Sequence, residues 1–125
     1  MIKGIGIDLI DNSRIQVLHE KYGQVFAKKI LSKAEMIEFK KSRFPVSYLA
    51  KHFTSKEALS KALGTGLYRR GIFPSKLTVD HDDMGKPFFI KNGGLLKVLK
   101  SISASNVFLS ISDTNSHSTA MVLVE

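Results

Sequence analysis

Apolar and polar residues alternate over positions 2–10, with Ile5, Ile7 and Leu9 on one side and Gly4, Gly6 and Asp8 on the other. That period of two predicts a half-buried strand. Asp11, Asn12 and Ser13 are capping residues for a helix running to about residue 21, and a further helical stretch covers Val25 to Leu31. Ser32 followed by Glu35 is a capping box that opens another short helix. A long helix is predicted over 46–63, with Pro45 suited to its first turn and Gly64 to its stop. Leu77 and Val79 begin a strand, Met84-Gly85 is its turn, and Pro87 to Ile90 is the return strand. Residues 94–102 read as helix, and two strands follow at 106–112 and 117–124. The last of these is so nearly apolar that it belongs in the middle of a sheet. The order predicts an α+β fold: one domain over residues 1–125, its helices packed on an antiparallel or mixed sheet.

Composition matters mainly for what it excludes. A chain of 125 residues has room for one domain, which buries roughly two thirds of its unfolded surface. It has no cysteine, which rules out disulfides, thiolate metal sites and cysteine nucleophiles. No stretch approaches the roughly 18 consecutive apolar residues of a membrane span, and the first residues lack the long apolar segment of a signal peptide. The expectation is a soluble, cytoplasmic protein with no membrane partner. Nineteen Lys and Arg against eleven Asp and Glu leave a net charge of +8. That excess favours an acidic partner: nucleic acid, a phosphorylated small molecule or an acidic protein.

Two glycine patterns invite nucleotide-binding readings and fail on their spacing. Gly4-x-Gly6 has Leu9 where a dinucleotide fingerprint needs glycine, and Gly85-Lys86 has Asp80 where a P-loop needs its first glycine. Asp8 shares a strand face with Gly4 and Gly6, whose backbone something can approach closely. An acidic residue near the end of a strand, just before a helix start, suits a hard cation; it also suits a simple cap on that helix, as does Asp11. On the long helix Val46, Leu49, Ala50 and Phe53 form an apolar stripe, and Glu57 falls in the same arc. A carboxylate there needs a compensating charge. Lys61, four residues on, offers one as an ordinary i, i+4 pair. Gly64-Thr65-Gly66 reads as a helix C-cap before it reads as a ligand loop. Ser110, Ser112 and Asp113 end a strand beside a turn, and His52 and His117 are ordinary polar positions.

Taken together these segments resemble the bacterial holo-acyl-carrier-protein synthases, small phosphopantetheinyl transferases. The resemblance rests on Gly4-Ile5-Gly6-Ile7-Asp8-Leu9 with Arg14-Ile15, and above all on Phe53-Thr54-Ser55-Lys56-Glu57-Ala58-Leu59-Ser60-Lys61-Ala62-Leu63-Gly64-Thr65-Gly66. Leu31-Ser32-x-x-Glu35, Gly85-Lys86-Pro87 and Ser110-Ile111-Ser112-Asp113 support it, in order, across essentially the whole chain.

The resemblance implies the phosphopantetheinyl transferase fold and transfer of 4′-phosphopantetheine from coenzyme A to a serine of apo acyl carrier protein, in service of fatty acid biosynthesis. It implies Asp8 and Glu57 as Mg²⁺ ligands, which agrees with the preference of Mg²⁺ for one or two carboxylates plus substrate phosphates. Lys61 would stabilise the departing phosphate, and Glu57, or a water it orients, would take the serine proton, with Glu35 a second candidate. Gly64, Thr65, Lys86, Pro87, Ser110 and Ser112, with Lys61, would line the nucleotide pocket. Arg14 matches a position that contacts the acidic carrier, and the family's short members are homotrimers whose active sites are shared between neighbouring subunits. Two positions depart from the family pattern: His52 stands where arginine is usual, and Asp113 where many members have histidine. A non-enzymatic nucleic-acid-binding domain is the competing class. Against it, the chain lacks tryptophan and any run of aromatics interleaved with basic residues, although Lys56 and Lys61 on one helix could grip phosphates. A transferase acting on peptide-synthetase or polyketide carrier domains is a second alternative.

Overall fold

Strand β1 (Gly4–Asp11) runs into three short helices, α1 (Asn12–Tyr22), α2 (Gln24–Ile30) and α3 (Lys33–Lys40), and then the long helix α4 (Pro45–Leu63). A single 3₁₀ turn (Pro74–Lys76) precedes the strands β2 (Val79–His81) and β3 (Pro87–Phe89), helix α5 (Gly93–Ser101), and the strands β4 (Val107–Asp113) and β5 (His117–Val124). The structure is a computed structural model that describes every residue from Met1 to Glu125. Local sequence accounts for most boundaries. The Asp11 carboxylate accepts from the Ser13 amide at 2.9 Å and caps α1. The predicted capping box of α3 is complete, with Ser32 and Glu35 bonding each other's backbone amides. Gly64 ends α4 in the left-handed conformation at φ 74°, where a side chain would be strained. Leu77, expected within a strand, instead closes the 3₁₀ turn, its amide donating to the Pro74 carbonyl at 3.1 Å.

The main sheet is antiparallel in the order β1-β5-β4, so the apolar last strand is central as its sequence predicts. β2 and β3 form a separate two-stranded hairpin. The alternation of β1 is real, and the buried side is the one that carries the glycines. Ile5, Ile7 and Leu9 are 64%, 63% and 66% exposed, and the face carrying Gly4 and Gly6 lies against α4. A methyl group at Gly6 would overlap the Ala58 carbonyl oxygen, and one at Gly4 that of Ala62. What approaches the glycine face closely is therefore a helix backbone.

Helix α4 joins two apolar cores. Its first half places Tyr48, Leu49 and Ala50 among Ile15, Ile30 and Phe39 of the short helices. Its second half places Ala58, Leu59, Ala62 and Leu63 among Leu95, Val122 and Val124 of α5 and β5. At the junction sits a buried ion pair: Lys56, with no exposed surface, donates to Glu35 Oε1 and to the carbonyls of Ile30 at 2.8 Å and Pro74 at 2.9 Å. All three ammonium protons are thus used, and burial lowers the pKa of Lys56 while Glu35 partly restores it. Glu35 is equally committed, accepting from Ser32 N at 2.9 Å and from Val79 N at 2.8 Å.

His52, expected to be an ordinary polar position, is buried beside this pair. It stacks on Tyr48 with ring centroids 4.0 Å apart, and its Nδ1 lies 2.8 Å from the Tyr48 carbonyl. Its Nε2 lies 3.6 Å from Glu35 Oε2 without a hydrogen-bond partner. Burial, reinforced by Lys56 and His81 and opposed by Glu35, pushes its pKa down to about 4 from an ordinary 6.5.

Two stability effects follow. Lys56→Met leaves the Glu35 carboxylate buried and unpaired, so chemical denaturation at pH 7 should show a loss of about 3–5 kcal/mol. For His52 the folded-state pKa lies below the unfolded one, so the unfolded chain takes up the proton first. Stability present at pH 7 is lost as pH falls from 6.5 towards 4, by up to about 3 kcal/mol. Melting temperature against pH should drop through that window in the wild type and be flatter in His52→Gln; parallel curves would contradict the assignment.

Candidate active site

The glycine face of β1 sets up the site. Because α4 lies directly on Gly4 and Gly6, the next inward position of the strand, Asp8, meets the α4 face that carries Thr54, Glu57 and Lys61. A cleft of about 310 Å³ opens there, at the unpaired edge of the sheet, with Asp8, Glu57 and Lys61 on its walls, Phe53 beside them and Arg14 at its rim. Lys61 Nζ donates to Asp8 Oδ1 at 3.1 Å and to the Ile7 carbonyl at 3.0 Å. Asp8 Oδ2 accepts from Thr54 Oγ1 at 2.8 Å, and the Asp8 carbonyl accepts from Thr119 Oγ1 at 2.7 Å. Burial, and then the nearby Asp8 charge, raise the pKa of Glu57 above its ordinary value, while Lys61 opposes the shift.

Arg14 occupies the first turn of α1, whose start is fixed by Asn12. That side chain donates to the carbonyls of Thr114 and Asn115 at 3.3 Å each and accepts from Ser118 Oγ at 2.8 Å. Arg14 forms no ion pair, with Asp11 or with Glu35, and its guanidinium is exposed.

The remaining sequence-derived positions lie outside this cleft within one chain. Gly64 caps the end of α4, and Thr65 is buried with its hydroxyl bonded to the Gly66 carbonyl at 2.9 Å. Lys86 is exposed in the β2–β3 turn, its amide donating to Asp82 Oδ1 at 2.9 Å, and Pro87 begins β3. Ser110 and Ser112 are exposed on the outer face of the sheet, in register with Met121 and Thr119 of β5, and Asp8 points to the opposite face. Asp113 is tied to the start of α4 by Ser47 Oγ at 3.3 Å. Glu35, the second candidate for the base, is withdrawn: it is buried, points away from the cleft and has both oxygens bonded. His52 is buried as well, so the usual arginine at that position has no surface substitute here. Lys56, offered above as a phosphate grip, is likewise inside the protein.

Sequence reasoning missed Thr54 and Thr119. For Thr54 a signal existed: it lies three residues before Glu57 and seven before Lys61, on the same helical face. For Thr119 none did, since its place beside Leu9 is set by strand register.

The residues suit a hard divalent cation. Asp8 and Glu57 supply two carboxylates to one cleft, and burial makes the charge of Glu57 unfavourable until it is compensated. No cluster of three metal-ligating side chains exists, so such a cation would need further oxygens from a phosphate or water, the usual arrangement for Mg²⁺. At about 310 Å³ the cleft is at the lower end of ligand pockets (about 300–1,000 Å³), with less room than a whole nucleotide cofactor needs.

Known proteins resemble this chain over nearly its whole length. The family model of the 4′-phosphopantetheinyl transferase superfamily matches residues 4–121. A holo-[acyl-carrier-protein] synthase of Nitrosospira multiformis is 43% identical over 125 residues, covering 100% of this chain and 99% of that one. The crystal structure of holo-[acyl-carrier-protein] synthase from Neisseria meningitidis superposes with a TM-score of 0.94 at 42% identity, over 100% of this chain and 99% of the other. That of the Bacillus anthracis synthase, in complex with coenzyme A (3′,5′-ADP), gives 0.82 at 34% identity over 100% and 97%.

Proposed function

The chain belongs to the 4′-phosphopantetheinyl transferase superfamily, and from that premise we propose that it transfers 4′-phosphopantetheine from coenzyme A to a serine of apo acyl carrier protein, in the cytoplasm and for fatty acid synthesis. The observation that carries the reading is the cleft joining Asp8, Glu57 and Lys61 on a chain so similar to holo-synthases. The serine Oγ attacks the phosphorus that bears the pantetheine arm, forming a P–O bond. The bond to the bridging pyrophosphate oxygen breaks, and adenosine 3′,5′-bisphosphate leaves with the electron pair. Catalysis of this kind is mostly positioning and neutralisation of growing negative charge. Asp8 and Glu57 would hold Mg²⁺, which when bound supplies charge compensation for the pyrophosphate. Lys61, half exposed at the cleft, meets the charge developing on the leaving phosphate. Glu57, or a water it orients, accepts the serine proton. Arg14 at the rim is placed to orient the acidic carrier, helped by the net charge of +8.

We further propose a homotrimer with shared sites. Two observations support it. The cleft is too small for all of coenzyme A, and Lys86, Pro87, Ser110 and Ser112 lie outside it. The outer sheet face also leaves Ile5, Ile7, Leu9, Phe108 and Met121 uncovered in one chain, an apolar patch of the kind that marks an interface. A neighbouring copy seated on this face would add residues of its own to the nucleotide pocket.

The test is incubation with apo carrier protein, coenzyme A and Mg²⁺. Mass spectrometry should find one phosphopantetheine added per carrier; no mass gain from folded protein would refute the reading, and fatty-acid, peptide-synthetase and polyketide carriers run side by side define the range. Glu57→Gln should lower turnover by about 10²–10⁴-fold. Lys61→Ala should reduce kcat more than it raises KM for coenzyme A, because its charge acts mainly in the transition state. Phe108→Asp adds a charge to the same exposed face on β4, away from the cleft. Light scattering should find a trimer in the wild type and an inactive, folded monomer in the variant; an active monomer would remove the shared site.

A further inference from the structure

Thr54 is fully buried, yet its hydroxyl does not do what hydroxyls in the middle of helices usually do, which is to bond the carbonyl one turn back. Two neighbours on α4 bond locally: Ser55 Oγ donates to the Lys51 carbonyl at 2.6 Å, and Ser60 Oγ to the Glu57 carbonyl at 2.7 Å. Thr54 Oγ1 instead reaches across to β1 and donates to Asp8 Oδ2 at 2.8 Å. Asp8 is partly buried, its side chain 16% exposed, and the bond gives Oδ2 a fixed partner. What it does is select one orientation of a group whose terminal torsion is broad.

We propose that Thr54 is a positioning residue: by holding Asp8 Oδ2 it fixes the plane of the carboxylate and presents Oδ1 to the cleft. This rests on the reading above, in which Asp8 is a cation ligand. The two oxygens of Asp8 have different partners. Oδ2 is bonded to a buried, neutral hydroxyl on a rigid helix, and Oδ1 to the mobile, half-exposed ammonium of Lys61 at 3.1 Å. A half-exposed lysine can give way to an incoming cation, whereas the threonine hydroxyl is held in a fully buried setting. The Thr119 hydroxyl on the Asp8 carbonyl and the Lys61 ammonium on the Ile7 carbonyl hold the strand itself; on the Asp8 side chain Thr54 is the buried partner and Lys61 the exposed one. Hydrogen-bonding partners of ligating carboxylates typically contribute 10–100-fold to metal affinity by such preorganisation, about the effect expected here.

The test compares Thr54→Val, which keeps the shape and removes the hydroxyl, with Thr54→Ser, which keeps the hydroxyl. Free Mn²⁺ is measured by electron paramagnetic resonance in the presence of coenzyme A, corrected for coenzyme A alone, and transfer rates are followed against Mg²⁺. Thr54→Val should raise the Mn²⁺ Kd and the Mg²⁺ concentration for half activity by about 10–100-fold, and Thr54→Ser should restore both. Should Thr54→Val lack a cooperative melt, Thr54→Ala gives the same comparison. Unchanged Mn²⁺ affinity in a folded Thr54→Val or Thr54→Ala variant overturns the proposal, and so does a Thr54→Ser variant as impaired as Thr54→Val. Asp8→Asn separates this from the underlying reading: if it binds Mn²⁺ as wild type does, Asp8 is not a ligand and both fall. If it loses Mn²⁺ while Thr54→Val keeps it, only the role of Thr54 fails.

Discussion

The rest of the structure depends on a contact made by atoms that are missing. Gly4 and Gly6 have no Cβ, and the carbonyls of Ala62 and Ala58 occupy the space where one would be. Any larger residue would push α4 away from β1 and take Thr54, Glu57 and Lys61 away from Asp8. The same contact explains the outer face of the strand. With the glycine side turned to the helix, Ile5, Ile7 and Leu9 must point outward, so one alternation both brings the carboxylates together and leaves an apolar face to be covered.

Helix α4 is held on its other side by charge. Lys56 and Glu57 are adjacent in sequence and about 100° apart around the helix, and they serve opposite tasks. Lys56 goes inward to Glu35, where the pair ties the end of α2, the start of α3, the 3₁₀ turn and β2 to α4. Glu57 faces the cleft, where its charge stays unfavourable until something compensates it. Replacing such a buried pair with apolar side chains is often neutral for stability, so its use lies in where it holds α4: fixed along its length against both cores.

Much of this was legible in the chain. The capping box at Ser32 and Glu35, the proline start and glycine stop of α4, and the central place of β5 all follow from local rules, and all are present. The resemblance in Phe53–Gly66 also led to the correct family. What sequence did not reveal was set by tertiary contacts. Ser32-x-x-Glu35 announces a cap but not that the same carboxylate pairs with Lys56. His52 reads as polar until Tyr48 and Glu35 enclose it. Alternation in β1 gives two faces without saying which is buried, because the helix backbone that covers glycine leaves no apolar signature. Ser110 and Ser112 share a chain with Asp8 but not a face of the sheet, and periodicity along one strand says nothing of the strand two places away.

The most direct measurement is a crystal of the protein grown with coenzyme A and Mn²⁺, with diffraction data collected at the manganese edge. The account predicts one anomalous peak between the carboxylates of Asp8 and Glu57, with oxygens of the pyrophosphate completing the sphere and Lys61 turned towards the phosphate. A peak elsewhere, or a pyrophosphate seated away from the edge of β1 and α4, would contradict it.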